Sequence, residues 1–189
     1  MSDYPKYRKQ GDIHWKWYLG GNVWYSCLVN DSVAQFRGLR GTLLDVGCGD
    51  GLSSYILACR GFRVTGIDSE PKGIEIAMEK MRYRKFEGII TTAEDYAKEC
   101  REFDYLYSLN TIEHLEDPTV FIGLMKKVKN FGIIVTDNGA VRKGKHPYHT
   151  MEFTKETLAE LFKDFNVKPF EFSDAGTNKH FLGIKVWSA

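Results

Sequence analysis

The stretch Leu43-Leu44-Asp45-Val46-Gly47-Cys48-Gly49-Asp50-Gly51 constrains this chain more than any other. A short apolar run that stops at three alternate glycines reads as a buried strand entering a tight turn. Leu52-Ser53-Ser54-Tyr55-Ile56-Leu57-Ala58 then has the composition of a helix start. Glycine is needed where backbone bends sharply or lets a ligand approach closely. The amides that open the following helix offer donors to an electronegative group. Together these describe a nucleotide-type cofactor site at the carboxyl end of a parallel strand. A dinucleotide fingerprint, Gly-x-Gly-x-x-Gly, would need its third glycine where Leu52 stands. The spacing present is Asp-x-Gly-x-Gly-x-Gly instead.

Composition limits the alternatives. The 189 residues suit a single domain with a full core. A hydrophobic share of 43% and a charged share of 27% are those of a soluble globular protein. A formal charge of +1 gives no global reason to expect nucleic acid or a membrane surface. No apolar signal region is visible at the N-terminus, and no run is long enough to cross a bilayer. Cys27, Cys48, Cys59 and Cys100 form no Cys-x-x-Cys pair, which argues against a zinc ribbon or disulfide framework and for a reducing, cytoplasmic setting.

The expected elements alternate. A helix over 22–36 precedes strand one at 42–46, whose partner helix runs to about Arg60. Strand two covers 61–67 and ends at Asp68. Pro71 opens a helix to about Arg84, and strand three covers 86–91. Strand four covers 103–107, followed by an irregular stretch and a helix over 118–128. Strand five is expected at 131–136. A helix over 154–165 has Thr154 as N-cap, with Thr157 in place of the capping-box Glu. Strands at 167–172 and 181–187 finish the chain. Alternation of this kind predicts an α/β fold with a mostly parallel sheet and helices on both faces. The last two strands are too close for a helical crossover and must form an antiparallel hairpin.

Asp45-x-Gly47-x-Gly49-x-Gly51 resembles motif I of the class I S-adenosylmethionine-dependent methyltransferases, and the closing hairpin resembles the end of their seven-stranded Rossmann-like sheet. The resemblance covers about Thr42 to Trp187. It implies one methyltransferase domain over 1–189, with 1–38 an N-terminal aromatic lid and helix and 39–189 the core. S-adenosylmethionine would be the cofactor and S-adenosylhomocysteine the product. Asp45 would order the turn and lie near the methionine amino group, or serve only to pin the turn. Gly47, Cys48, Gly49 and Gly51 would pass close to the cofactor. Asp68, with Ser69 beside it, would accept hydrogen bonds from the ribose hydroxyls, as carboxylates do for NAD riboses. Thr92-Ala93-Glu94-Asp95 resembles the adenine loop, with Ala93 and Glu94 as the contacts and Asp95 able to replace Glu94. Leu109 and Asn110, after strand four, complete the cofactor set.

Glu113-His114-Leu115 followed by Asp117-Pro118 resembles the small-molecule branch that includes the quinone O-methyltransferases. His114 titrates near neutrality and could take a proton as the methyl transfers; alternatively Glu113 and His114 only order the loop. His149-Thr150-Met151-Glu152-Phe153-Thr154 resembles a run whose histidine faces the acceptor pocket in that branch. Glu113, His114 and His149 are therefore the candidate catalytic residues, and no metal is expected. The acceptor would be a small molecule methylated on O or N. It could be anionic if Arg142, Lys143, Lys145 and His146 border it, although a solvated loop explains those charges equally.

Two other function classes fit the same motifs. The small-RNA 3′-end 2′-O-methyltransferases share a Glu-x-x-Glu-His and a distant His that bind a divalent metal. Here Asn110 stands where their first Glu belongs, which weakens a hard-cation site. A non-catalytic S-adenosylmethionine-binding regulator or scaffold would keep the glycine turn but be free to lose Glu113-His114. The N-terminal aromatics His14, Trp15, Trp17, Tyr18, Trp24 and Tyr25 are expected to form the lid, to pack as core, or to make a dimer patch.

Overall fold

In a computed structural model that describes residues 5–141, 146–173 and 180–189, three helices precede the first strand: α1 (Lys6–Gln10), α2 (Ile13–Leu19) and α3 (Val23–Ala34). The order then runs β1 (Thr42–Val46), α4 (Leu52–Cys59), β2 (Arg63–Asp68), α5 (Pro71–Met81), β3 (Phe86–Ile90), α6 (Ala93–Glu99) and β4 (Phe103–Leu109). A 3₁₀ turn at Ile112–His114 follows, then α7 (Val120–Met125), β5 (Val128–Asp137), α8 (Lys155–Leu161), β6 (Asn166–Ser173) and β7 (His180–Trp187).

The seven strands form one sheet in the order β3-β2-β1-β4-β5-β7-β6. The first five are mutually parallel, while β7 runs antiparallel to both β5 and β6. The chain winds outward from β1 to β3, then returns to place β4 on the other side of β1. Ligands of such sheets bind beyond the strand carboxyl ends, where the winding reverses. In this protein that crevice is at the ends of β1 and β4, where the glycine turn and the loop carrying His114 meet.

Alternation along the strands divides the core between the two faces. Leu44, Leu106, Ile134 and Leu182 face one side and pack with residues of α6, α7 and α8 such as Ala93, Phe121 and Leu158. Leu43, Tyr105, Tyr107, Ile133 and Val135 face the other and meet Leu28, Val33, Phe36 and Leu57 from α3 and its surroundings and from α4. Pro169, which cannot donate to a ladder, is tolerated because β6 is the outermost strand. Among the described residues, no helix is long and apolar enough to cross a membrane.

Several boundaries differ from expectation. Residues 93–99 form the helix α6, started by Thr92, whose hydroxyl accepts from the Asp95 amide. The stretch expected to be a loop at Ala93-Glu94 is therefore its first turn. Strand β5 starts at Val128, three residues early, because Val128 pairs with Phe103 and the polar Lys129 and Asn130 between the buried residues lie on exposed positions. Helix α7 is correspondingly shorter than 118–128, and α8 ends at Leu161. Thr154 does cap α8, in a reciprocal box with Thr157.

Candidate cofactor and active site

Three glycines of the turn take left-handed backbone, with φ of 74° at Gly47, 54° at Gly49 and 79° at Gly51. The turn leaves no room for side chains either. A Cβ on Gly47 would lie 2.1 Å from the Thr111 hydroxyl, and one on Gly51 2.7 Å from the Ala77 Cβ. Thr111 belongs to the loop after β4, so that loop rests directly on the turn. The Gly47 and Cys48 amides donate to the Ile67 carbonyl at 2.8 and 3.0 Å. The Gly49 amide donates to Asp68 Oδ2 at 2.9 Å and the Glu70 amide to Asp68 Oδ1 at 2.8 Å. One carboxylate thus ties the end of β2 to the glycine turn. The Thr91 amide donates to the Asp68 carbonyl, which brings the start of α6 beside it.

Carboxylates dominate this end of the sheet. Asp45 is fully buried, and the Ser54 hydroxyl donates to its Oδ2 at 2.5 Å. Burial raises its pKa to about 7, the neighbouring Asp68 adds to the rise, and the serine bond opposes it. Burial raises Asp68 as well, against the pull of its two amide donors. Carboxyl groups whose ionisation is displaced by burial in this way are recurrent markers of function.

The N-terminal segment lies on the turn. The Tyr7 ring is buried, and a Cβ on Gly49 would come within 1.8 Å of its hydroxyl oxygen. Glu70 Oε1 accepts from the Tyr7 and Arg8 amides at 2.8 and 2.9 Å. The His14 amide donates to Asp50 Oδ2 at 2.9 Å, the His14 ring meets Asp50 Oδ1 at 3.0 Å, and the Trp15 indole donates to the Asp50 carbonyl. His14 stacks on Tyr25, and Trp17 and Trp24 pack edge-on against the same ring. Stacking of Trp24 on Phe181 continues the aromatics toward the sheet.

On the other side of Thr111, Glu113 is buried and His114 half-buried. The Glu113 carbonyl accepts from the Thr150 amide, and the Thr150 hydroxyl reaches the Glu113 and Leu115 carbonyls. These bonds clamp the 146–152 segment over the 3₁₀ turn. The His114 ring lies 4.8 Å, centroid to centroid, from that of His149, and His146 is 4.4 Å from His149. His114 Nδ1 donates to the Tyr148 carbonyl at 2.9 Å, which puts its lone pair on Nε2. His149 Nδ1 bonds Glu152 Oε1 at 3.0 Å. Burial lowers the His149 pKa to about 4, with His114 adding to the fall and Glu152 opposing it, so this imidazole is neutral at physiological pH. One ligand atom from each of Glu113, His114 and His149 lies within 4.8 Å of the others.

Comparison with known proteins fits this geometry. A family described as "Methyltransferase domain" matches residues 44–136, from the first strand to the end of the fifth. The ubiquinone biosynthesis O-methyltransferase of Pelagibacter ubique is 34% identical over 174 residues, covering 89% of this chain and 71% of that one. This chain belongs to the class I S-adenosylmethionine-dependent methyltransferases. The mitochondrial ubiquinone biosynthesis O-methyltransferase of Arabidopsis thaliana is 38% identical over 114 residues, or 58% of this chain and 33% of that one. The chain spans between a third and three fifths of the length of the first curated relatives it matches. Among solved structures, N-methyltransferase NodS of Bradyrhizobium japonicum, in complex with S-adenosyl-L-homocysteine, shares the fold with a TM-score of 0.75 at 17% identity, covering 90% of each chain.

The chain groups its expected residues in two sets that meet at Thr111 and Gly47. Asp45, Gly47, Cys48, Gly49, Gly51, Asp68, Ser69 and the start of α6 surround the ends of β1 to β3, and Leu109 ends β4 with Asn110 directly after it. Asp95 pairs with Lys98 at 2.7 Å on the exposed side of α6, whereas Glu94 is half-buried. Asn110 is the one non-glycine with positive φ among the described residues, at 51°, and its Oδ1 is buried without a hydrogen bond among them. Arg142, Lys143 and Lys145, expected to border an anionic acceptor, lie outside the described residues. Lys6, Tyr7, Asp50, Glu70, Thr111 and Glu152 were given no role by sequence reasoning. Asp50 and Glu152 lie inside quoted motifs but at positions those motifs leave open, and only the tertiary fold brings residues 6–15 back onto the turn.

Proposed function

We propose that this protein transfers the methyl group of S-adenosylmethionine to an oxygen or nitrogen of a small-molecule acceptor, with a hydroxyl the favoured group. The observation that carries this reading is the meeting of two sites at Thr111 and Gly47: the cofactor turn on one side, and Glu113, His114 and His149 on the other. Relatives named as ubiquinone biosynthesis O-methyltransferases support an oxygen acceptor. In the cofactor set, Asp68 receives the ribose hydroxyls, Asp45 faces the methionine ammonium, and Ala93 and Glu94 border the adenine. Bound S-adenosylmethionine would supply an electrophilic methyl, which the acceptor oxygen would take as a new C–O bond while the C–S bond breaks and neutral thioether leaves. The hydroxyl proton passes to His114 Nε2, whose orientation is fixed by the Tyr148 carbonyl at Nδ1. Holding the two reactants in line supplies much of the acceleration.

A labelled-methyl screen over small hydroxylated, amino and nucleotide-linked acceptors tests the reading. His114→Ala is expected to lower turnover by roughly 10²–10⁴-fold with little change in cofactor affinity. A loss under tenfold would assign the rate to positioning alone.

One observation favours a second reading, in which a divalent ion assists the transfer. Glu113, His114 and His149 present a carboxylate and two imidazoles to one point, and His149 is oriented by Glu152 as metal-ligating histidines are by carboxylates. A bound ion would lower the pKa of an acceptor hydroxyl. Chelation separates the two: activity that survives EDTA leaves His114 as the base, and activity that vanishes with EDTA and returns with manganese makes these three residues ligands.

A further inference from the structure

Carboxyl groups crowd the crevice. Asp45, Asp50, Asp68, Glu70 and Glu113 all stand around the glycine turn or beside Thr111. S-adenosylmethionine brings a sulfonium and an ammonium, which suit such a pocket, and an α-carboxylate, which does not. Opposite charge has to be supplied close to the turn if the methionine end is to sit there.

Lys6 is placed to supply it. Its neighbour Tyr7 is anchored through its amide to Glu70 and holds its hydroxyl over Gly49. Burial lowers the Lys6 pKa, and the surrounding carboxyl groups of Asp50, Asp68, Glu70 and Glu113 oppose that fall. The ammonium is held by a relay: Lys6 Nζ donates to His14 Nε2 at 2.8 Å, and His14 Nδ1 donates to Asp50 Oδ1 at 3.0 Å. Burial keeps His14 neutral, so it can accept from the ammonium. The rings of Tyr7 and Trp17 lie 5.8 and 5.9 Å from Nζ, which confines the ammonium laterally. One N–H goes to His14, and an ammonium has two more to give.

We propose that Lys6 binds the α-carboxylate of the methionine moiety, making the N-terminal segment part of the cofactor site. The inference rests on the cofactor assignment above. It explains why the chain spends Asp50 and Glu70 on fixing residues 7–15 instead of on the ligand. It also assigns the segment a chemical task that packing of aromatics would not require.

The test uses the full chain and two ligands: S-adenosylhomocysteine, and its decarboxylated analogue, which keeps the adenosine, thioether and amine. Titration calorimetry on the wild type is expected to show a preference of 10- to 100-fold for the carboxylated ligand. Lys6→Met should erase that preference by weakening S-adenosylhomocysteine alone, and Lys6→Arg should restore most of it. If Lys6→Met weakens both ligands by the same factor, Lys6 only holds the segment in place and the inference fails. It fails too if the wild-type preference survives in Lys6→Met. A wild type that binds neither ligand overturns the cofactor assignment itself, and this inference with it.

Discussion

Asp45 couples the cofactor site to the stability of the empty protein. Its carboxyl is raised by burial from 3.8 to about 7, so the folded chain holds a proton there that the unfolded chain releases near pH 4. A folded pKa above the unfolded one gives stability that is complete below pH 4 and is lost as pH rises toward 7. At about 1.4 kcal/mol per pH unit, the whole window is worth about 4 kcal/mol, and the part between pH 5.5 and 8 about 2 kcal/mol. Asp45→Asn keeps an acceptor for the Ser54 hydroxyl but cannot ionise. Thermal melts of the cofactor-free wild type and variant at pH 5.5 and 8 isolate the effect. His14 and Lys6, whose pKa values are lowered, bend the curves of both proteins alike. Relative to wild type, the variant should gain about 2 kcal/mol between the two pH values, or roughly 4–8 °C in Tm for a domain of this size. A difference between the two proteins that stays constant with pH would refute the reasoning. It would mean that Asp45 is ionised in the empty fold and that water or a counter-charge reaches it.

Three further outcomes are expected. Asp68→Ala should weaken S-adenosylhomocysteine binding by about 2–4 kcal/mol in calorimetry, because it removes both a charge-assisted ribose acceptor and the acceptor of the Gly49 amide; unchanged affinity would remove the ribose assignment. Gly49→Ala would set a Cβ 1.8 Å from the Tyr7 hydroxyl at φ +54°, so the N-terminal segment should lift and limited proteolysis should cut near Gly20-Gly21 faster than in wild type. Wild-type protection in that variant would show that Tyr7 can step aside without releasing the segment. Of four free cysteines, the exposed Cys27 and Cys59 should react rapidly with a disulfide reagent, while Cys48, buried with its thiol pKa raised, should react only on unfolding.

What the sequence made legible follows from how local each signal is. The glycine turn could be read because Gly47, Gly49 and Gly51 each need a left-handed backbone, and that need is written one residue at a time. The sheet order was legible because each strand is a short apolar run and the last two have no space for a crossover. Helix α6 was hidden because seven residues with three acids give too few apolar positions to set a period. The start of β5 was hidden behind Lys129 and Asn130, which are exposed although they lie in a strand. His114 and His149 were each visible in their own motifs, but their 4.8 Å approach depends on Thr150 bonding the Glu113 and Leu115 carbonyls, and no spacing encodes that. Lys6 and Asp50 are the extreme case, joined through His14 and across the fold.

The arrangement also bears on why Thr111 lies at the centre of the crevice. Its side chain fills the space above Gly47 that any Cβ there would need, and its carbonyl accepts the His114 amide. One residue therefore fixes both how closely the β4 loop approaches the cofactor turn and where the histidine begins. Displacement by even 1 Å costs in-line reactions heavily, so a site whose two halves share a single contact has its reaction distance set by packing and not by loop flexibility. The buried Ser108 strengthens the same joint by donating from its hydroxyl to the Val46 carbonyl at 2.9 Å, tying β4 to the last residue before the turn. The glycine turn and the histidine loop are in this way tied to two adjacent parallel strands, β1 and β4, the pair at which the winding of the sheet reverses.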